Sequence, residues 1–475
     1  MNDFNRSTRR AFVQRMGQLG LAGAAAPWAL NLAAMSEAAA QSSTASDYKA
    51  LVCVFLYGGN DHYNTIVPFD DINHANYQRV RSGITLQRSA LTPNALPIGT
   101  GEGLASSVNG MAPGRQVALA PELPPELSGL MPIFNKGELG LIFNIGTLVQ
   151  PTTKAQYTAA NVPLPPKLFS HNDQQSVWQS SKPEGATSGW GGRIGDLFLS
   201  SNGRTTFTCV NASGNAVFMS GREAVQYQVS TTGAVAMRGL GAPLFGSQAC
   251  STALRELVTA PHTHLMRSEY ARITSRALDA QVALSSALAG LPQLQTVFPA
   301  GTLSQQLQMV ARMISSRNQL SVKRQVFFVS LGGFDLHDYL LTQHPGLKSQ
   351  LGESLKSFHA AMGELGVAQQ VTTFTASDFG RTLTSNGDGS DHGWGSHHFI
   401  MGGAVQGGRF YGRYPDVAVN GPDDVGQGRL LPTTGVDQLA ATLATWMGVN
   451  ASDLPLVVPN IGNYSVRDLG LMRRV

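Results

Sequence analysis

The stretch YKALVCVFLYGGND, residues 48–61, decides the fold class. Its apolar residues run unbroken, without alternation, into Gly58-Gly59, and Asp61 follows. A run of this kind reads as a strand buried on both faces, the habit of parallel sheets, with a loop at its carboxyl end. The pattern returns along the chain. LGLIFNIG (139–146) is a second run and RTTFTCVN (204–211) a third, weaker one. KRQVFFVSLGGFD (323–335) repeats strand, Gly-Gly and Asp, and QQVTTFTASDFG (369–380) is a strand ending at Asp378. Helical periods occupy 249–290, stopped by Gly290 and Pro292, then 303–317, 344–366 and 436–449. Strands alternating with helices predict an α/β fold: a mostly parallel central sheet with helices on both faces. Residues 80–125 and 150–190, rich in Pro, Gly and Ser, are expected to form loops or lids over it. With no internal repeat and no linker after residue 41, residues 41–475 are expected to form a single domain.

The 475 residues are 42% hydrophobic and 13% charged. That allows a large core and excludes a coiled coil, a collagen and a multi-span membrane protein. Lys+Arg 34 against Asp+Glu 30 gives +4, and no run of like charge is long enough for a nucleic-acid tail. Without a P-loop or a G-x-S-x-G elbow, neither nucleotide binding nor a Ser–His–Asp hydrolase is favoured.

Residues 1–40 read as an address. Ser7-Thr8 precede Arg9-Arg10, Phe12 follows, a moderately apolar stretch runs from Leu19 to Met35, and Ala38-Ala39-Ala40 offers a cleavage site. This resembles a twin-arginine export signal, implying passage through the twin-arginine translocase to a periplasmic or secreted destination. The stretch is near the lower length limit and diluted with Gly and Pro, so a permanent transmembrane span is not expected. Its removal takes four Arg and two acids, so the +4 of the whole chain becomes +2. Cys53, Cys209 and Cys250 are an odd number; Cys53 lies in a strand-like run, and a Cys209–Cys250 pair is open to an oxidising compartment.

Three strand-like runs end at acids: Asp61, Asp335 and Asp378. Ligands of open α/β sheets bind at the carboxyl ends of strands, and three carboxylates converging there need cations or protons. Asp335 and His337 are two residues apart and share a face of an extended segment. The stretch SDHGWGSHHF supplies Asp391, His392, His397 and His398, and the last two, as neighbours in a strand, point to opposite faces. Imidazoles with carboxylates suit zinc, manganese or iron better than calcium. His62, His74, His262, His264, His344 and His359 lack acid partners at useful spacing and read as surface or core histidines. In LFSHNDQQSVWQS, Ser170 opens a helix expected at 172–179, a place suited to an attacked anion, though a helix cap is the simpler reading. Thr147 is a rival nucleophile, and Arg193 and Arg381 are candidates to clamp a pair of anionic oxygens.

YGGNDHYN, FSHNDQQSVW, GWGGR, LGGFDLH, SDFGRT, NGDGSDHGWGSHHFIMGGAVQGGRFYG and DQLAATLATWMGV, with the twin-arginine start, resemble the exported bacterial family catalogued as domain of unknown function 1501. That family looks like a branch of the alkaline phosphatase and sulfatase superfamily. The resemblance implies metal-dependent hydrolysis of phosphate or sulfate esters, with one or two divalent ions, zinc or manganese. The substrate would be a small anionic ester or a cell-envelope polymer, with no nucleic-acid partner. By the same resemblance Asp61, Asp335, His337, Asp378, His392 and either His397 or His398 would hold metal. Ser170 would be the nucleophile, and Arg381 or Arg193 would meet the non-bridging oxygens. Phe379 follows Asp378 where the superfamily often has His. Either His392 replaces that ligand from the next loop, or the inner ion site is weakened or empty. A catalytically silent protein of the same fold, binding an envelope polymer or partner, is the alternative.

Overall fold

β1 (Lys49–Leu56) lies mid-sheet, and every residue after Lys49 is buried. Its side chains serve two cores in alternation. Ala50, Val52 and Val54 join Leu307 and Phe358 on one face, while Leu51, Cys53 and Phe55 join Trp190 and Leu439 on the other. Each large apolar side chain buried in this way contributes roughly 1.5–3 kcal/mol. A strand apolar on both sides is stable only when both sides are covered, so the unalternating run at 48–61 also dictates the helical layers. A computed structural model describes residues 47–100, 109–121, 127–237, 239–240 and 243–473. The export signal read at 1–40 lies outside them.

The other strands of the main sheet are β2 (Leu139–Gly146), β3 (Cys209–Asn211), β4 (Tyr227–Ser230), β5 (Arg324–Leu331), β6 (Val371–Ser377), β7 (Ser396–Met401) and β8 (Phe410–Arg413). Their order is β8-β2-β7-β6-β1-β5-β3-β4, with short edge strands outside. Pairing is parallel except at β7, which is antiparallel to β6 and β2, and at the edge beyond β4. The covering helices are α1 (Asp71–Val80), α2 (His171–Ser180), α3 (Trp190–Phe198), α4 (Gln248–Thr259), α5 (Leu265–Ala289), α6 (Thr302–Ser315), α7 (Leu340–Glu364) and α8 (Val436–Met447). α6 and α7 supply the first core, α3 and α8 the second. The expected helix at 249–290 is two helices, α4 and α5, broken at Pro261, whose ring denies the helix an N–H.

All three cysteines are free: Cys53 and Cys209 are buried and Cys250 is exposed on α4. No helix among the described residues is long and apolar enough to cross a membrane.

Candidate metal centre

β6, β1 and β5 are neighbours and end together, with Leu56 opposite both Ser377 and Leu331. The turns that follow therefore leave one edge of the sheet side by side, carrying Asp378, Asp61 and Asp335. Gly58 makes the crossing possible. Its φ is +114°, and a Cβ there would lie 2.4 Å from the backbone nitrogen of Asp335, so no side chain fits. A fourth element arrives from the segment before Ser170. Phe169 holds φ +72°, a conformation costing a bulky residue about 1–2 kcal/mol. The turn starts α2 with His171 over the acids.

Three imidazoles meet there. His171 Nδ1 is 2.7 Å from Asp378 Oδ2, His337 Nδ1 is 3.1 Å from Asp391 Oδ1, and His392 Nδ1 is 2.8 Å from the Phe169 carbonyl. In the tautomer that puts each proton on Nδ1, facing an oxygen that only accepts, each neutral ring turns an Nε2 lone pair inward. His392 Nε2 lies 3.1 Å from His171 Nε2 and 2.9 Å from His337 Nε2. Asp335 completes the group, with Oδ1 3.0 Å from His337 Nε2 and Oδ2 3.3 Å from His171 Nε2. Lone pairs at this spacing repel unless a cation or a shared proton lies among them. Donors about 2.0 Å from a tetrahedral ion stand roughly 3.3 Å apart, so the spacing fits one. Among the described residues His171, Asp335 and His392 are the group able to hold a metal ion, and His337 adjoins them.

The surroundings tune the ligands. The hydrogen bond to Asp378 raises the pKa of His171, whereas burial lowers that of His392. Burial alone would raise the Asp335 carboxyl, but the hydrogen bond and charge of Arg381 outweigh it and hold it low. Asp378 also accepts from Gln175 Nε2 at 2.8 Å and the Gly58 N–H at 3.2 Å. Asp378→Asn removes the charge that orients His171 while keeping its size. We expect metal affinity to fall about 10–100-fold, as for other outer-shell partners, measured by competition with a chelating dye.

Asp378, expected to hold metal, instead meets His171 at Nδ1, on the far side of the ring from the Nε2 cluster, and the remaining sequence candidates also lie outside the group. Asp61 is buried, with Arg81 Nη2 2.5 Å away and the Ser390 hydroxyl donating at 2.7 Å. Burial would raise its pKa, but Arg81 outweighs it and holds it far below the usual range. A guanidinium thus meets Asp61 where a second ion was expected. Phe379 packs 4.8 Å from both His171 and His392, ring centre to ring centre. Arg381 is buried and donates to Asp335 at 2.7 Å and to the carbonyls of Gly58 and Ser390, so it orients the candidate ligand Asp335. Arg193 caps the carbonyls of Ser180, Ser188 and Val457, and burial lowers its pKa to about 10. The Thr147 hydroxyl is buried and donates to Gln174 Oε1 at 2.6 Å. Ser170 precedes His171, and its hydroxyl donates to Asp173 Oδ2 at 3.0 Å.

His397 and His398 leave β7 on opposite faces, as strand geometry requires, and neither joins the centre. His397 packs against His62 and Phe143, accepts from the Asn144 N–H at 3.1 Å, and burial lowers its pKa to about 3. His398 packs on Trp178. The candidate ligand that sequence reasoning passed over is His171. Its acid partner is 207 residues away, and the one local signal was its place at the mouth of a helix beside Ser170.

Solved structures of similar shape include the lipoteichoic acid synthase LtaP from Listeria monocytogenes, at 8% identity and TM-score 0.32, over 90% of this chain and 81% of that one. The PsFucS1 sulfatase from Pseudoalteromonas sp. is 8% identical with TM-score 0.32, over 93% of this chain and 77% of that one. The phosphonate monoester hydrolase SpPMH from Silicibacter pomeroyi is 11% identical with TM-score 0.27, over 68% and 69%. Among curated proteins none matches the sequence. Residues 48–456 match the model of the family described as protein of unknown function (DUF1501), and the chain belongs to that family.

Proposed function

We propose that the protein is an exported metal-dependent hydrolase of phosphate or sulfate esters, with one zinc or manganese ion held by His171, His337, His392 and Asp335. The observation that carries this reading is the convergence of three imidazole Nε2 atoms on one carboxylate at the carboxyl edge of the sheet. A divalent ion bound there supplies Lewis acidity toward an ester oxygen. The export signal at 1–40 and the motif resemblance support an extracytoplasmic site of action, by way of the twin-arginine translocase.

Ser170 is the nucleophile in this reading. Its hydroxyl already points its hydrogen at the buried Asp173, which takes the proton as Oγ bonds to phosphorus or sulfur and returns it to the departing ester oxygen, so that the alcohol leaves. Water then cleaves the seryl ester. Lys167 Nζ, 3.7 Å from the same Asp173 oxygen, offsets its charge. Arg429 meets the non-bridging oxygens in place of Arg381. Its guanidinium stacks 4.3 Å over Phe169 and its Nε donates to the His392 carbonyl, while its terminal nitrogens bond nothing among the described residues.

Metal analysis by mass spectrometry and assays on aryl phosphates and sulfates test the scheme. Ser170→Ala should keep its metal and lose hydrolysis by about 10³-fold or more; full activity in that variant removes the assigned nucleophile. Arg429→Ala should lower kcat/KM about 10–100-fold, the worth of a charge-assisted hydrogen bond, at unchanged metal content. The Asp61–Arg81 pair, standing where a second ion was expected, favours a second reading: a silent protein that binds an anionic envelope polymer. A metal-replete protein inert to the whole panel and retained by such a polymer would select it.

A further inference from the structure

α5 carries a seam that leaves the body of the protein half-used. Met266, Tyr270, Ile273 and Ala277 are spaced 4, 3 and 4, and the same spacing continues through Ala280 and Leu284, which are buried in the first core. The leading half is bare: Met266 is 71% exposed, Tyr270 65% and Ile273 49%. Beside it lies a cavity of about 270 Å³, with Ile273 and Ala277 on one wall and Val225 and Tyr227 on the other. Protruding side chains and a hollow thus share one patch, which is what a two-fold contact between identical surfaces needs.

We propose that this face is the interface of a homodimer, in which two copies of α5 pack antiparallel about an axis between Ala271 and Arg272. The seam spacing is that of helix-on-helix packing, 3.5 residues per repeat. In this register Tyr270 lies opposite Ile273 of the second copy, and Met266 lies opposite Ala277, where the cavity gives it a socket. The flanking charges agree. Glu269, held by Arg272 of its own helix at 2.8 Å, and Arg276, 3.9 Å from the same carboxylate, border the seam on the same side, and the antiparallel axis also sets Glu269 of each copy against Arg276 of the other.

Light scattering after size-exclusion chromatography of the mature protein should give twice the chain mass. Ile273→Asp, an exposed change that spares the core, should give monomers with an unaltered melting curve. Glu269→Arg and Arg276→Glu should each weaken the dimer separately. Mixed together they should reform it as a heterodimer, because both cross-pairs are then opposite in sign. A monomeric wild type at every concentration, or a dimer indifferent to Ile273→Asp, would overturn the interface. Failure of the mixed variants to pair would overturn the antiparallel register.

Discussion

His392→Ala is expected to empty the metal centre while the fold persists. His392 is the hub of the group, with an Nε2 that faces both other imidazoles. Deleting a direct ligand should cost more than the loss of an outer-shell partner, so we expect affinity to fall more than about 100-fold. Hydrolysis should fall with it. The side chain is about a quarter exposed and no apolar core depends on it, so circular dichroism of the metal-free variant should match that of the metal-free wild type. Metal that stays bound at one equivalent in this variant would mean that the ion sits elsewhere and that the three rings meet for another reason.

Arg81→Met is expected to be the most destabilising single change at the sheet edge. The Asp61 and Arg81 side chains are 2% and 0% exposed, and Arg81 also donates to the Thr382 carbonyl at 2.7 Å. Removing the guanidinium leaves a buried carboxylate without its counter-charge, a loss of about 3–5 kcal/mol. A urea titration should show a lower midpoint at unchanged slope. The pH dependence has a definite sign. Asp61 has a lower pKa folded than unfolded, so its contribution is complete above the ordinary carboxylate range and disappears as pH falls through the folded value. The gap between wild type and Arg81→Met should therefore narrow on acidification. Asp61→Asn placed on Arg81→Met should recover part of the loss, since the stranded charge is gone.

The fold was legible wherever burial was two-sided. LGLIFNIG is β2 residue for residue, and the runs at 48–61, 323–335 and 369–380 each contain their strand. RTTFTCVN was over-read. Its first half is a 3₁₀ turn, Thr205–Phe207, and three residues pair with β5. The antiparallel setting of β7 has no signature in its own residues, because an apolar run looks alike in either direction. At the centre, Asp335, His337 and His392 were readable from their neighbours in sequence. His171 and Arg81 were not. Their partners, Asp378 and Asp61, come to them through the crossing of loops, which local spacing does not encode.

The tight backbone turn at Phe169 has a further consequence. The ion would bind residues 171, 335 and 392, three distant parts of the chain, and only the first of them rides on this turn. Metal loading would then act as a rivet on that corner. A chelator should loosen that corner first, and Lys167, whose side chain is 72% exposed, becomes the early trypsin cut that reports it.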